Sequence, residues 1–189
     1  MSVNLRPLRA EDGPRVLAWR NSPEVAAYMY SDHQISAAEH ARWLAGAVAG
    51  GLYWIIQLDG APVGLANLAD LNPDARRCAW AYYLADPATR GRGVGGAVEY
   101  IVLQHVFETL KLNKLWCEVL AENEPVWRLH KGFGFTREAR LRDHVWKGGR
   151  FQDVIGLGVL ASDWSVARPA CEARLIAKGH DLAALIIAA

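Results

Sequence analysis

The chain has 189 residues, 52% of them hydrophobic, with eight tryptophans and a formal net charge of +1. That excludes a disordered chain and a small disulfide scaffold, and the length suits one domain with a filled core. The near-zero charge gives no general attraction for nucleic acid or an anionic membrane. Three widely spaced cysteines, Cys78, Cys117 and Cys171, point to a reducing compartment rather than a disulfide framework. No stretch reaches the roughly 18 apolar residues of a membrane span, and MSVNLRPLRAEDGP lacks the apolar run of a leader. A cytoplasmic location is the expectation.

In chain order, Val3 to Arg9 alternates as a strand, and Ala10-Glu11-Asp12 opens a helix to about Arg20. A second helical turn restarts at Ser22-Pro23. A third helix has Ser36 as N-cap and Glu39 three residues on, a capping box, and stops at Gly50-Gly51. Leu52 to Leu58 reads as a strand, Asp59-Gly60 as a hairpin turn, and APVGLANLADL as the returning strand. Arg77 to Leu84 is another strand. After a glycine-rich loop comes a helix from about Gly93 to Leu110, striped by Val94, Val98, Ile101, Val102 and Val106. KLWCEVL is a strand and ENEPVWRLHKG a short helix stopped by Gly132. FTREARLRDHVW and RFQDVIGLGVL are strands joined at Lys147-Gly148-Gly149. Consecutive hairpins followed by helix–strand–helix give an α+β class, not a doubly wound one. Residues 1–164 form the expected domain. Residues 165–189 are an expected helical tail, packed on it or on a second copy in a homodimer.

The glycine loop DPATRGRGVGGAVEY, Asp86 to Tyr100, opens a helix. Gly91-x-Gly93-x-x-Gly96 matches the letters of a dinucleotide fingerprint, but that motif needs a tight turn directly after a strand of a parallel sheet. Here Ala85 to Arg90 intervene and the preceding strands form antiparallel hairpins. A second reading is an anion site made from the backbone N–H groups of Gly91 to Gly95 at the helix start, helped by Arg90 and Arg92. A third is a plain connector with surface arginines.

Arg90-x-x-Gly93-x-Gly95, followed after a strand by Asn123, His130, Gly134 and Phe135, resembles the GCN5-related N-acetyltransferases (GNAT) over Leu5 to about Leu160. The resemblance implies that family's fold: a mostly antiparallel mixed sheet, splayed between two parallel strands, with helices on both faces. It implies acetyl-coenzyme A as acyl donor, pyrophosphate on the loop, pantetheine between Arg77–Leu84 and Lys114–Leu120, and direct attack of an amine on the thioester. A backbone N–H near Tyr83 or Leu84 would polarise the carbonyl.

Two side chains are the catalytic candidates. His130 stands where most relatives carry a tyrosine that protonates the coenzyme A sulfur; a helix-end histidine favoured by the dipole is the alternative. Glu118 could relay the amine proton or serve as a structural partner. Asn123 could orient pantetheine or cap the next helix. Cys117 reads as core rather than as an acyl carrier. No His-x-His or His-Glu-x-x-His pair implies a metal.

The acceptor should be set by Trp19 to Leu44. Trp-Arg-Asn-Ser-Pro-Glu-Val, Met29-Tyr30 and Glu39-His40-x-x-Trp43 resemble the nucleotide-amino-sugar N-acetyltransferases of the pseudaminic acid pathway, which acetylate the 4-amino group of a UDP-linked dideoxy sugar for flagellin glycosylation. Such an acceptor needs aromatic faces and a cation for the diphosphate: Met29, Tyr30, His33, Trp43 and Tyr83 could form the wall with Arg20 as the cation, and core packing is the alternative for each aromatic. Arg-Asn-x-Pro-Glu-Val is shared with ribosomal-protein N-terminal acetyltransferases, the alternative acceptor class. A non-catalytic sensor of acyl-coenzyme A is the alternative of another kind.

Overall fold

The computed structural model describes residues 1–188. Fourteen elements follow in order: β1 (Val3–Pro7), α1 (Gly13–Asn21), α2 (Pro23–Ala26), α3 (Ala37–Gly50), β2 (Tyr53–Leu58), β3 (Ala61–Asn72), β4 (Arg77–Leu84), α4 (Val94–Gln104), β5 (Lys114–Leu120), α5 (Glu124–Gly132), β6 (Thr136–Lys147), β7 (Arg150–Leu160), α6 (Ala161–Ala177) and β8 (Ile186–Ile187). The strands form one sheet in the order β6-β7-β5-β4-β3-β2-β1-β8. Neighbours are antiparallel except β4 with β5 and β1 with β8. The fold is the expected α+β mixed sheet.

Local chemistry sets several elements. Asp59 and Gly60 both take positive φ, 50° and 83°, as a tight hairpin turn requires. Ser36 accepts from the Glu39 N–H and Glu39 accepts from the Ser36 N–H, closing the capping box on α3. The helices cover both faces. The main core joins α4 and α6 to the sheet through residues such as Leu5, Ile56, Val98, Leu115 and Leu175. A smaller core, Leu8, Val16, Ala47, Ile55 and Leu65, lies under α1 and α3.

Three expectations are corrected. The helix after the glycine loop is not one α-helix to Leu110; it ends at Gln104 and widens into a π turn over His105–Thr109. The tail helix begins at Ala161, directly after β7, where Asp163 accepts the Leu160 N–H at 3.1 Å and so caps the helix four residues earlier than expected. The tail is also not wholly helical. Its end forms β8, which lies parallel to β1 through Asn4↔Ile186 and Leu5↔Ile187. Trp164, Cys171, Leu175 and Leu185 are buried in the main core, so the tail completes the same body as the sheet. No helix among the described residues is long and apolar enough to cross a membrane.

Candidate active site

β4 and β5 pair at only three positions, Arg77↔Lys114, Cys78↔Leu115 and Ala79↔Trp116. Beyond them β4 stays with β3 as far as Leu84, and β5 stays with β7 as far as Leu120. The two strands therefore part, leaving facing edges whose backbone groups lack their ladder partners. The gap opens a cleft of about 1060 Å³. On the β3 side of β4, a Cβ at Gly64 would lie 2.1 Å from the Tyr83 carbonyl oxygen, so only glycine fits this close approach of the two strands.

At one end the cleft meets the glycine loop. Asp86 starts a 3-10 turn by accepting the Ala88 N–H at 2.8 Å, and Gly93, at φ 76°, begins α4 with no side chain capping it. The first N–H groups of α4 thus have no intrahelical acceptor and form the positive end of the helix dipole. Gly91, Gly93, Val94, Gly95 and Arg90 all line the cleft. An uncapped helix start, glycines that admit close approach and a flanking arginine fit a pyrophosphate, and the parted strands fit an extended pantetheine arm. Arg92 does not join them. Its guanidinium turns to Asp59 at 3.2 Å, and its carbonyl oxygen receives His180 at 3.1 Å.

Along the parted edge, Ala85 N–H donates to Val63 O at 2.8 Å. The two-residue alternation of an antiparallel ladder then turns the Leu84 N–H, and not that of Tyr83, toward the cleft. Tyr83 does line the cleft, with its ring edge-on to Trp19 at 6.5 Å. Asn123 lies at the start of α5 but makes no side-chain capping bond, so its amide is left to the cleft.

His130 lies on the cleft wall, 3% exposed, with Trp80 and Phe135 rings at 5.4 and 5.1 Å. Its Nδ1 is 2.8 Å from Glu99 Oε1 on α4. Burial alone would lower the imidazole pKa, but the Glu99 charge, with smaller contributions from the neighbouring Cys117 thiol, outweighs it and lifts the value to about 10. Burial raises the Glu99 carboxyl, opposed by His130. Glu99 was missed in the sequence because it interrupts no helical pattern. A lone carboxylate inside VGGAVEYIVLQ was nevertheless a signal, since a buried charge needs a partner.

The cleft is also lined by Arg20, Glu24, Tyr28, Met29 and Tyr30, and by Glu118 on β5. Tyr30 Oη donates to Glu118 Oε2 at 2.8 Å. Burial, then this carboxylate, push the phenol pKa up, so Tyr30 keeps its proton. The segment after α2 is held from across the fold. Lys147 Nζ, nearly buried, donates to the carbonyl oxygens of Ala26, Ala27 and Met29 at 2.5, 2.9 and 2.6 Å, and the Gly148 N–H donates to Asp32 at 2.7 Å. Tyr28 and Lys147 were not anticipated; their contacts are set by tertiary packing and leave no local motif.

Two expected wall residues lie elsewhere. Trp43 packs in the smaller core against Tyr53 at 5.3 Å and His40 at 5.1 Å. His33 is exposed and pairs with Glu39 at 3.0 Å, on the carboxylate that caps α3. Neither lines the cleft. Among the described residues no group of three or more His, Cys, Asp or Glu side chains could hold a metal ion.

Comparison with known proteins agrees with this geometry. A spermidine N(1)-acetyltransferase of Vibrio cholerae is 28% identical over 102 residues, 54% of this chain and 58% of that relative, so the alignment spans little more than half of it. The acetyltransferase PseH of Campylobacter jejuni (strain 81-176) is 24% identical over 135 residues, 70% of this chain and 82% of that protein. Among solved structures, the V. cholerae spermidine N-acetyltransferase in complex with CoA and spermine superposes with a TM-score of 0.80 at 22% identity, covering 87% of this chain and 98% of that one. The family model for the acetyltransferase (GNAT) domain matches residues 2–136. With the parted strands and the uncapped glycine turn, that match makes this chain a member of the GNAT acetyltransferases, which use acetyl-CoA to acetylate an amine nitrogen.

Proposed function

We propose that the protein acetylates the amino group of a nucleotide-linked amino sugar of the type used in pseudaminic acid synthesis for flagellin glycosylation. The observation that carries this reading is that Arg20, Tyr28, Met29 and Tyr30 line the same cleft as the glycine loop. A guanidinium suits a diphosphate, and aromatic faces suit a base or a pyranose ring. The resemblance in Met29-Tyr30 and the likeness to PseH support the same acceptor.

Acetyl-CoA supplies the acetyl group as an activated thioester. The chain's own residues supply binding, orientation and proton transfer. The glycine loop and Arg90 hold the pyrophosphate, Asn123 orients the pantetheine arm, and the Leu84 N–H polarises the thioester carbonyl. Glu118 receives the amine proton, directly or through water. A ring amine with a pKa of about 8, by analogy with an α-amino group, needs only a modest base. His130 protonates the departing sulfur.

A second reading is a polyamine acceptor. Glu24 and Glu118 both line the cleft, and the Vibrio relatives are named for spermidine. Thiol release from acetyl-CoA with a panel of UDP-amino-sugars, polyamines and ribosomal-protein N-terminal peptides tests the proposal. Release driven best by UDP-amino-sugars is the expected result. Release driven only by polyamines or peptides overturns the acceptor assignment, and coenzyme A binding without any acceptor-dependent thiol means a sensor.

A further inference from the structure

His130 faces a problem of protonation. An ordinary imidazole has a pKa of about 6.5, so at pH 8 only about 3% of it carries the second proton. Its orientation adds a constraint. Nδ1 is committed to Glu99, and Nε2 is the remaining nitrogen of a ring on the cleft wall. If the pair holds a single proton, on Nδ1, then Nε2 is a bare acceptor. If it holds two, Nε2 carries hydrogen whichever atom holds the proton shared with Glu99.

Glu99 is placed to keep that second proton. It is fully buried in α4 among Val98, Tyr100 and Val102, and its other oxygen, Oε2, has no partner among the described residues. The carboxyl's polar demand therefore falls on His130. The surrounding groups are few. Cys117 on β5 lies beside the imidazole, Tyr82 on β4 is near enough to feel Glu99, and Arg174 on α6 acts on Glu99 from a distance while bonded to the Gly132 carbonyl and Cys171. None offers Glu99 a direct hydrogen bond.

We infer that Glu99 is a positioning residue for acetyl transfer: it fixes the His130 ring through Nδ1 and retains the proton that His130 presents from Nε2 to the departing sulfur. This rests on the reading of His130 as the acid. As the acceptor nitrogen bonds to the acyl carbon, the carbon–sulfur bond breaks and its electron pair goes to sulfur. The Nε2 proton follows to give the thiol, and the amine's surplus proton leaves through Glu118. The Glu99–His130 pair ends one proton poorer and reloads from solvent.

The test uses Glu99→Gln, His130→Phe and the double variant in the full chain, with pH profiles, acetyl-CoA KM, and NMR titration of the His130 ring. Wild-type His130, with Nδ1 on the Glu99 carboxylate, should hold its proton well above the ordinary imidazole range. In Glu99→Gln the alkaline limb of kcat should move toward 6.5, cutting turnover at pH 8 about 30-fold with acetyl-CoA KM nearly unchanged. Glu99→Gln should have no further effect once His130 is Phe. If His130→Phe keeps full turnover, the acid reading fails, whatever Glu99 does. If His130→Phe loses about 10²-fold but Glu99→Gln keeps the wild-type profile, the acid stands and the role of Glu99 is overturned. Should Glu99→Gln not fold, a wild-type His130 ring that titrates near 6.5 overturns the inference on its own.

Discussion

The part of the cleft proposed to hold acetyl-CoA is made mostly of backbone, and the part proposed to hold the acceptor mostly of side chains. The first uses the left-handed Gly93, the uncapped start of α4 and the parted edge of β4, features fixed by local conformation. The second uses Arg20, Tyr28, Tyr30 and Glu118 on a short irregular segment and a strand, clasped by Lys147 from the β6–β7 hairpin. A backbone site tolerates change in most side chains around it and cannot be retuned easily. A side-chain site can be retuned by single substitutions. One fold can in this way keep its donor and exchange its acceptor.

If that division is right, variants should separate cleanly by substrate. Gly93→Val carries the largest expected effect. A branched side chain at φ 76° is strained, and it would crowd Lys178, whose Cδ lies 2.6 Å from a Cβ built at Gly93. Coenzyme A affinity should fall roughly 100-fold, about 2.7 kcal/mol, in calorimetric titration of protein shown to be folded by circular dichroism. Unchanged affinity would remove the loop from the donor site.

Lys147→Met comes next. It leaves the carbonyls of Ala26, Ala27 and Met29 without their shared donor, so thermal unfolding should report a loss of about 1–3 kcal/mol. The acceptor KM should rise about tenfold as the wall loses its position, with coenzyme A affinity unchanged. A parallel loss of coenzyme A binding would break the division between the two parts.

The conformation of the glycine loop was legible because its signal is contiguous. Arg90 to Gly95 spells a loop whose conformation depends on its own glycines, and the hairpins around it follow from alternation and turn residues. The chemistry hidden from the sequence lies in pairs brought together by packing. Tyr30 meets Glu118 across 88 residues, Lys147 meets Ala26 across 121, and His130 meets Glu99 across 31. His33 and Trp43 show the converse error. Both belong to a stretch that resembles acceptor motifs, but one serves the α3 cap and the other the smaller core. Arg92 likewise fits the anion motif by letter and is turned away by Asp59.

The smallest effect belongs to Tyr30→Phe. It deletes the hydroxyl on Glu118 but keeps the aromatic face, so steady-state kinetics should show a three- to tenfold fall in kcat/KM for the acceptor, about the value of one hydrogen bond. The acetyl-CoA KM should stay as in wild type. A change confined to acetyl-CoA would place Tyr30 on the donor side.

The division itself is tested most directly by amide NMR during titration of coenzyme A into the wild-type chain. The account predicts that the largest shifts fall on Gly91, Gly93, Val94, Gly95 and Leu84, with the Tyr28–Tyr30 amides little moved. Largest shifts at Tyr28–Tyr30, with the start of α4 silent, would contradict it.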